Sequence, residues 1–78
     1  MRYRIIANEE TSKGFALFGA EAVAVSNDEQ AGAAFEEALL DASIGAVVLS
    51  KEVGEMIADA VDSHASSCRL PQVLVLDV

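Results

Sequence analysis

Two short apolar runs constrain the fold of this chain more than any other feature. IGAVVL (Ile44 to Leu49) and VLVLDV (Val73 to Val78) are nearly continuous runs of β-branched residues and leucine. Such runs are typical of parallel strands that are buried on both faces of a sheet. The segments RYRIIA (Arg2 to Ala7) and EAVAV (Glu21 to Val25) also have strand character, so the sequence predicts four strands.

Three segments of helical period lie between these strands. In the first, Thr11, Gly14, Phe15 and Phe18 recur at helical spacing, and Gly19 then stands where a left-handed C-terminal cap is expected. Glycine in the middle of a helix costs about 1 kcal/mol relative to alanine. Gly14 therefore indicates close contact of this helix with the sheet or with another protein.

The second and third helices are predicted from caps and apolar stripes. Ser26 and Glu29 form an S-x-x-E capping box that opens the second helix, and its predicted buried stripe is Ala31, Ala34, Phe35 and Ala38. Ser50 is the predicted N-cap of the third helix. The stripe of that helix comprises Val53, Met56, Ile57, Ala60, Val61 and His64. Pro71 ends the helical region and precedes the last strand.

This alternation of strands and helices predicts the fold class. Helices between strands give the order βαβαβαβ, and right-handed crossovers place helices on both faces of one sheet. We expect an α/β fold, a small three-layer α/β/α sandwich around a four-stranded parallel sheet in the order 2-1-3-4. With 78 residues, the chain is long enough for one small domain, predicted to span 1–78.

Charge and hydropathy limit the classes of partner. Thirteen acidic side chains against five basic ones give a formal net charge of -8, which repels nucleic-acid phosphates and anionic lipid. No apolar run approaches the roughly 20 residues of a membrane span. Nevertheless, 53% of the residues are hydrophobic, more than a small chain with so much surface requires. We therefore expect a protein partner with a basic surface, and neither nucleic-acid binding nor membrane insertion.

The sequence also predicts a cytoplasmic location. The only cysteine, Cys68, cannot form an internal disulfide, and it is predicted to be an unreactive thiol near a helix end. At the N-terminus, the apolar run is interrupted at once by Asn8, Glu9 and Glu10, which is not the pattern of a signal peptide.

The glycines of the first helix do not form a nucleotide-binding motif. A phosphate loop requires lysine and a hydroxyl residue after its second glycine, but Gly19 is followed by Ala20 and Glu21. The dinucleotide pattern G-x-G-x-x-G is absent. Nucleotide binding is therefore not predicted.

The remaining reactive residue types do not form a catalytic or metal site in the sequence. His64 is the only histidine and lies on an apolar helical stripe, where a structural role is expected. One cysteine and one histidine without metal-ligand spacing predict no zinc site. Glu36, Glu37 and Asp41 are predicted to form a solvated face of the second helix. We predict no catalytic residue, no metal and no cofactor.

The carboxyl ends of the strands are the expected place for a site in an open parallel sheet. That edge gathers Asn8, Glu9 and Glu10 after the first strand with Ser50 and Lys51 after the third. These five residues are candidates for a partner-facing loop surface.

One alternative function follows from the acidic pair. Glu9 and Glu10 resemble the magnesium-holding pair of receiver domains, which are phosphorylated on an aspartate at the end of the third strand. Here Ser50 occupies that place, and the fifth strand and its helix are missing. A receiver-like signalling domain without its phosphoacceptor remains the alternative interpretation.

A second resemblance covers essentially the whole chain. The acidic turn before TSKGFALFGA, the segment IGAVVLSKEVGEMI and the final RLPQVLVLDV resemble the F subunit of the V-type and A-type rotary ATPases. The most specific element is G-F-x-L-x-G, and the step from leucine to proline before the last strand supports it. The positions that carry these motifs are Gly14, Phe15, Leu17, Gly19, Leu70 and Pro71.

The resemblance implies a mechanical function. It implies a non-catalytic protein without a cofactor, clamped to the coiled-coil D subunit of the central stalk and turning inside the catalytic hexamer. Such a protein helps to couple ATP hydrolysis or synthesis to ion translocation, and it is cytoplasmic and peripheral to the membrane. Members of that family generally continue into a C-terminal helix that is implicated in regulating the motor, whereas this sequence stops at Val78. Two interpretations stay open: the sequence covers only the globular domain of a longer chain, or this member lacks the helix and its inhibitory role. The last strand is expected to be a hydrophobic edge strand that is prone to pairing.

Overall fold

The structure, a computed structural model, describes residues 2–67 and 71–76. Its four strands are all parallel and form one sheet in the order β2-β1-β3-β4, which confirms the predicted topology. In chain order the elements are β1 (Arg2–Ala7), α1 (Glu9–Ala16), β2 (Ala22–Ala24), α2 (Asp28–Leu40), β3 (Ile44–Ser50), α3 (Lys51–Met56), α4 (Ala58–Ser67) and β4 (Gln72–Leu76).

One face of the sheet, which we call the covered face, carries the core. Ile6 of β1 is in register with Val23 of β2 and Leu49 of β3, and partners in neighbouring parallel strands point to the same side. Helices α2, α3 and α4 pack on this side against β1, β3 and β4. The buried core residues are Ile6, Val25, Ala31, Phe35, Ala38, Ile44, Val47, Leu49, Val53 and Ile57.

On the opposite side of the sheet, which we call the open face, α1 is the one helix that packs within the described part of the chain. Ile5 is in register with Ala22 and Val48, and Val48 with Leu74, so this row crosses all four strands. Helix α1 packs on β1 and β2, and Ile5 beneath it is buried. Val48 is half-buried and Leu74 is exposed. The part of the open face that α1 covers therefore ends at β3, the strand between β1 and β4.

The N-terminal cap of α2 lies one residue later than the sequence predicts. Asn27, not Ser26, is the N-cap, and its Oδ1 accepts from the backbone N–H of Gln30 at 2.8 Å. The Gln30 Oε1 accepts from the backbone N–H of Ser26, also at 2.8 Å. The predicted pairing of Ser26 with Glu29 is wrong, because Asn27 is the N-cap and the Gln30 side chain bonds the backbone N–H of the residue before that cap.

The predicted third helix is two helices. The break lies at the buried Ile57, whose φ of -121° and ψ of 32° are not helical. The apolar stripe does not continue in register across this break. Ala60, for which the sequence predicts burial, is therefore exposed. Val61 and His64 remain half-buried on α4.

Other boundaries differ by one or two residues. Helix α1 begins at Glu9, so the segment interpreted as an acidic turn is its cap and first turn. Asp41 lies at the C-cap of α2 and is half-buried. There its Oδ1 accepts from both the backbone N–H and the hydroxyl of Ser43. Cys68, Leu70 and the last two residues of the predicted fourth strand lie outside the described residues.

Candidate functional site

The carboxyl-end candidates include two helix caps. Asn8 Oδ1 accepts from the backbone N–H of Thr11 at 2.8 Å and caps α1. Ser50 is buried, 3% exposed, and its Oγ accepts from the backbone N–H of Val53 at 3.4 Å to cap α3. Both side chains thus satisfy backbone groups that a helix start leaves open. At the position where a receiver domain is phosphorylated, this chain has a buried capping hydroxyl.

The charged members of the same group lie around these caps. Glu9 pairs with Lys13 one turn later at 3.2 Å, and both belong to the solvent-exposed surface of α1. Asn8 Nδ2 donates to Glu52 Oε2 at 3.4 Å and so links the carboxyl ends of β1 and β3. Glu10 and Lys51 are exposed. Within residues 2–67 and 71–76, no three histidine, cysteine, aspartate or glutamate side chains are grouped to hold a metal ion.

A cluster of arginine and glutamate at the amino ends of the strands was missed by the sequence reasoning. Glu21 Oε1 lies 2.8 Å from Arg2 Nη2 and 2.7 Å from Arg4 Nη2. Hydrogen bonds from Arg2 and then Arg4 lower the pKa of Glu21 below its ordinary value, and the bond to Glu21 raises the pKa of Arg2. The available signal was the alternation of Arg2 and Arg4 on one side of β1, beside a glutamate that precedes β2.

His64 has a structural position. Its Nε2 lies 2.7 Å from the carbonyl oxygen of Pro71, so this nitrogen donates. The imidazole also meets the ring of Phe35 edge-on, with 6.2 Å between the centroids. His64 thereby ties α4 to the start of β4 and to α2.

The two glycines of the G-F-x-L-x-G motif have different roles. Gly19 has a φ of +81°, and its N–H donates to Ala16 O while that of Ala20 donates to Phe15 O. This is the Schellman pattern, which confirms the predicted cap. Gly14 is exposed, and a β-carbon there would meet nothing within 4 Å. Of the two contacts that the sequence offers to explain Gly14, the sheet is therefore excluded at this residue, and contact with another protein stays a prediction.

Helix α1 presents an apolar surface with a shallow depression at Gly14, which has no side chain. Thr11, Gly14, Phe15 and Phe18 line a shallow groove that is almost entirely apolar; we call these four residues the helix wall. Phe18 is 91% exposed and the neighbouring Leu17 is 86% exposed. The motif of this segment therefore includes two large side chains that contribute little to the core.

The uncovered part of the open face is also apolar. Leu74 is 54% exposed and Leu76 is 37% exposed. Val48 belongs to β3, the strand between β1 and β4, and is half-buried. We call these three residues the sheet floor. Tyr3 is on the same side at the amino end of β1 and is 49% exposed. The sequence predicts the hydrophobic edge strand, but it does not show that Leu74 and Leu76 lie on the same face of the sheet as α1.

A search of the curated proteins found no match. Among solved structures, the chain is similar to the F subunit of the V-type ATP synthase from Archaeoglobus fulgidus, with 18% sequence identity and a TM-score of 0.81. That similarity covers 96% of this chain and 95% of the other, and at this identity it shows a shared fold. No helix within the described residues has both the length and the apolar character to cross a membrane.

The comparison with family models defines the relationship. Residues 4–77 match the model of the ATP synthase (F/14-kDa) subunit, which is nearly the whole chain and includes both motif glycines, α1 and the edge strand. The chain therefore belongs to the ATP synthase (F/14-kDa) subunit family.

Proposed function

We propose that this protein is a non-catalytic component of the central stalk of a V-type or A-type ATPase. In this role it docks on the coiled-coil D subunit of the stalk and turns with it inside the catalytic hexamer. The observation that carries the proposal is the apolar surface of α1 in a chain of the ATP synthase (F/14-kDa) subunit family, where Leu17 and Phe18 are almost fully exposed.

The energetics of these side chains favour a protein partner. Full burial of a leucine or phenylalanine side chain stabilises by about 1.5–3 kcal/mol each. Leu17 and Phe18 gain almost none of this energy within the domain, since both project from the turn that ends α1. Large aromatic and aliphatic side chains in this setting are typical of interaction surfaces.

The net charge of the domain selects the kind of partner. The formal charge of -8 favours a basic protein surface and accelerates association with it. The coiled-coil helices of a stalk offer long surfaces on which basic and apolar residues can alternate.

The polar residues at the carboxyl edge support a mechanical role. Asn8 and Ser50 are committed to capping α1 and α3, and Asn8 connects to Glu52 across the edge. These bonds stiffen the loops around the sheet. A rotor component transmits torque through such a rigid body and requires no reactive group of its own.

Calorimetric titration of the domain against the purified coiled-coil stalk protein of the same organism tests the proposal. We expect a one-to-one complex, checked by size exclusion, with micromolar or tighter affinity and a negative heat-capacity change from apolar burial. Absence of binding by the folded domain would contradict the stalk role. A magnesium-dependent phosphorylated species after treatment with a small phosphodonor would instead favour the receiver-like alternative.

A further inference from the structure

The open face has space for one more helix. Neighbouring strands lie about 4.8 Å apart, so a helix about 10 Å wide covers roughly two strands. Helix α1 packs on β1 and β2. The open face of β3 and β4 is thus about as wide as a second helix, and its side chains there include Val48, Leu74 and Leu76.

The handedness of the chain directs the helix wall toward this space. A strand-helix-strand crossover between parallel strands is right-handed, and Ser12 is the buried residue of α1. With 100° per residue and Ser12 toward the sheet, Thr11, Phe15 and Phe18 point to the side of β3 and β4. The half-burial of Thr11 and Phe15 fits this orientation. The helix wall and the sheet floor therefore form two sides of one cleft.

Gly14 makes the helix wall approachable. Nothing within the described chain occupies the space of a β-carbon at this position, although glycine inside a helix costs about 1 kcal/mol relative to alanine. A missing β-carbon allows another backbone to come close to α1. The glycine thus costs stability in the free domain and gives access to a partner.

The charges argue against a second copy of this chain as the occupant. The sheet residues on the open face are uncharged, among them Tyr3, Ile5, Val48 and Leu74, whereas the whole chain has a net charge of -8. A second copy would bring the same negative charge. A helix with basic flanks instead complements the negative charge of the chain as a whole.

We propose that the cleft between the helix wall and the sheet floor holds one α-helix of the stalk partner, apolar along one stripe and basic along its flanks. This inference rests on the proposed function and locates its docking surface. Helix α1 and the partner helix then lie side by side on the open face, and Phe18 and Leu74 become buried.

Substitutions that leave the fold unchanged test the location. Gly14→Leu adds a bulky side chain to the helix wall at a position whose β-carbon meets no atom within 4 Å, so we expect the domain to stay folded and binding to be lost. Phe18→Ser and Leu74→Ser each weaken the Kd about tenfold or more. Leu40→Ser is the matched control, because Leu40 is also exposed but lies at the end of α2, away from the cleft. Its Kd stays within about twofold of the wild type.

The same calorimetric titration against the purified coiled-coil stalk protein distinguishes the outcomes. Loss of binding in the three cleft variants, with Leu40→Ser unchanged and affinity falling as salt is raised, supports the inference. If the wild type binds but the cleft variants bind equally well, or if Leu40→Ser is the weakened one, the location is wrong and the stalk role stands. If the affinity does not depend on salt, the proposal that the partner helix has basic flanks is wrong. If the folded wild type does not bind, the proposed function fails and this inference fails with it.

Discussion

The two faces of the sheet use similar residue types for different purposes. On the covered face, Phe35 is 2% exposed and packs with Leu49 and Val47 in the core. On the open face, Phe18 and Leu74 are apolar as well but remain largely in water. The difference indicates that the covered face provides most of the folding free energy. The open face retains apolar area that becomes favourable only when a partner covers it.

The backbone shows the same contrast. Three helices pack on the covered face and one on the open face. Gly54 of α3 lies against Val75, with a β-carbon position 3.0 Å from Val75 Cγ1. Gly14 of α1 has no such neighbour. One glycine allows close packing within the domain, and the other leaves room outside it.

Truncation of Phe35 and of Phe18 should have very different effects on stability. Phe35→Ala removes a buried ring and should lower the free energy of unfolding by about 3–5 kcal/mol. Phe18→Ala should change it by less than about 0.5 kcal/mol. Urea unfolding followed by circular dichroism measures both. Because Phe35→Ala could leave the domain unfolded, Ile6→Val, with an expected loss of about 0.5–1.5 kcal/mol, provides a milder variant of the same face. Equal effects at positions 18 and 35 would show that the open face also contributes to the core.

Substitution of the two motif glycines by alanine should change the free energy of unfolding in opposite directions. Gly19→Ala places a β-carbon on a residue with φ of +81° and should destabilise by about 1–2 kcal/mol. Gly14→Ala meets no atom within 4 Å and should stabilise the free domain by up to about 1 kcal/mol, because alanine is the better helix former. Thermal and urea unfolding of both variants give the signs. Destabilisation by Gly14→Ala would indicate a contact of α1 within the domain.

The N-cap of α2 contributes to the stability of the covered face. Asn27→Ala removes the acceptor for the Gln30 N–H and should cost about 1 kcal/mol. Ser26 contributes its backbone N–H rather than its side chain to this arrangement, so Ser26→Ala serves as the neighbouring control and should stay within about 0.5 kcal/mol. A larger loss for Ser26→Ala in urea unfolding would restore the S-x-x-E capping box.

The smallest expected effect depends on pH. The pKa of Glu21 lies below its ordinary value of 4.5 because Arg2 and Arg4 donate hydrogen bonds to its carboxylate. A lowered folded-state pKa contributes stability above the unfolded-state value, and this contribution is lost as the pH falls through the folded-state value. The stability gap between the wild type and Glu21→Gln should therefore be widest at neutral pH and close in acid. Urea midpoints measured from neutral pH to below the ordinary pKa of glutamate test this. A gap that widens in acid would contradict the assignment.

Most of the fold could be predicted because its determinants are local in sequence. The apolar runs of β3 and β4 and the right-handed crossovers are sufficient for the strand order. Gly19 was recognisable as a cap because its place after a helical stripe has few alternatives. Boundaries were less predictable. Asn27 and Ser26 are both good caps, and only the two hydrogen bonds with Gln30 show which of them caps α2.

The candidate surface was less accessible to sequence reasoning. The carboxyl-end residues were identified by their order along the chain, but their role as caps depends on distances that the sequence does not contain. The sequence offers two explanations for Gly14, contact of α1 with the sheet or contact with another protein. Only the empty space at its β-carbon position distinguishes between them. The position of α1 and Leu74 on one face of the sheet relates residues about 60 positions apart, and it follows from the sheet register and from the direction of the crossover.

A methyl spectrum of the leucine-labelled domain, titrated with the unlabelled coiled-coil stalk protein, shows whether the open face is the docking surface. Leu74 and Leu76 lie on the sheet floor, whereas Leu40 lies at the end of α2 and is also accessible in the free domain. We predict that the methyl signals of Leu74 and Leu76 shift on binding while those of Leu40 stay in place. Shifts confined to Leu40, with the two sheet-floor leucines unchanged, would contradict a docking surface on the open face.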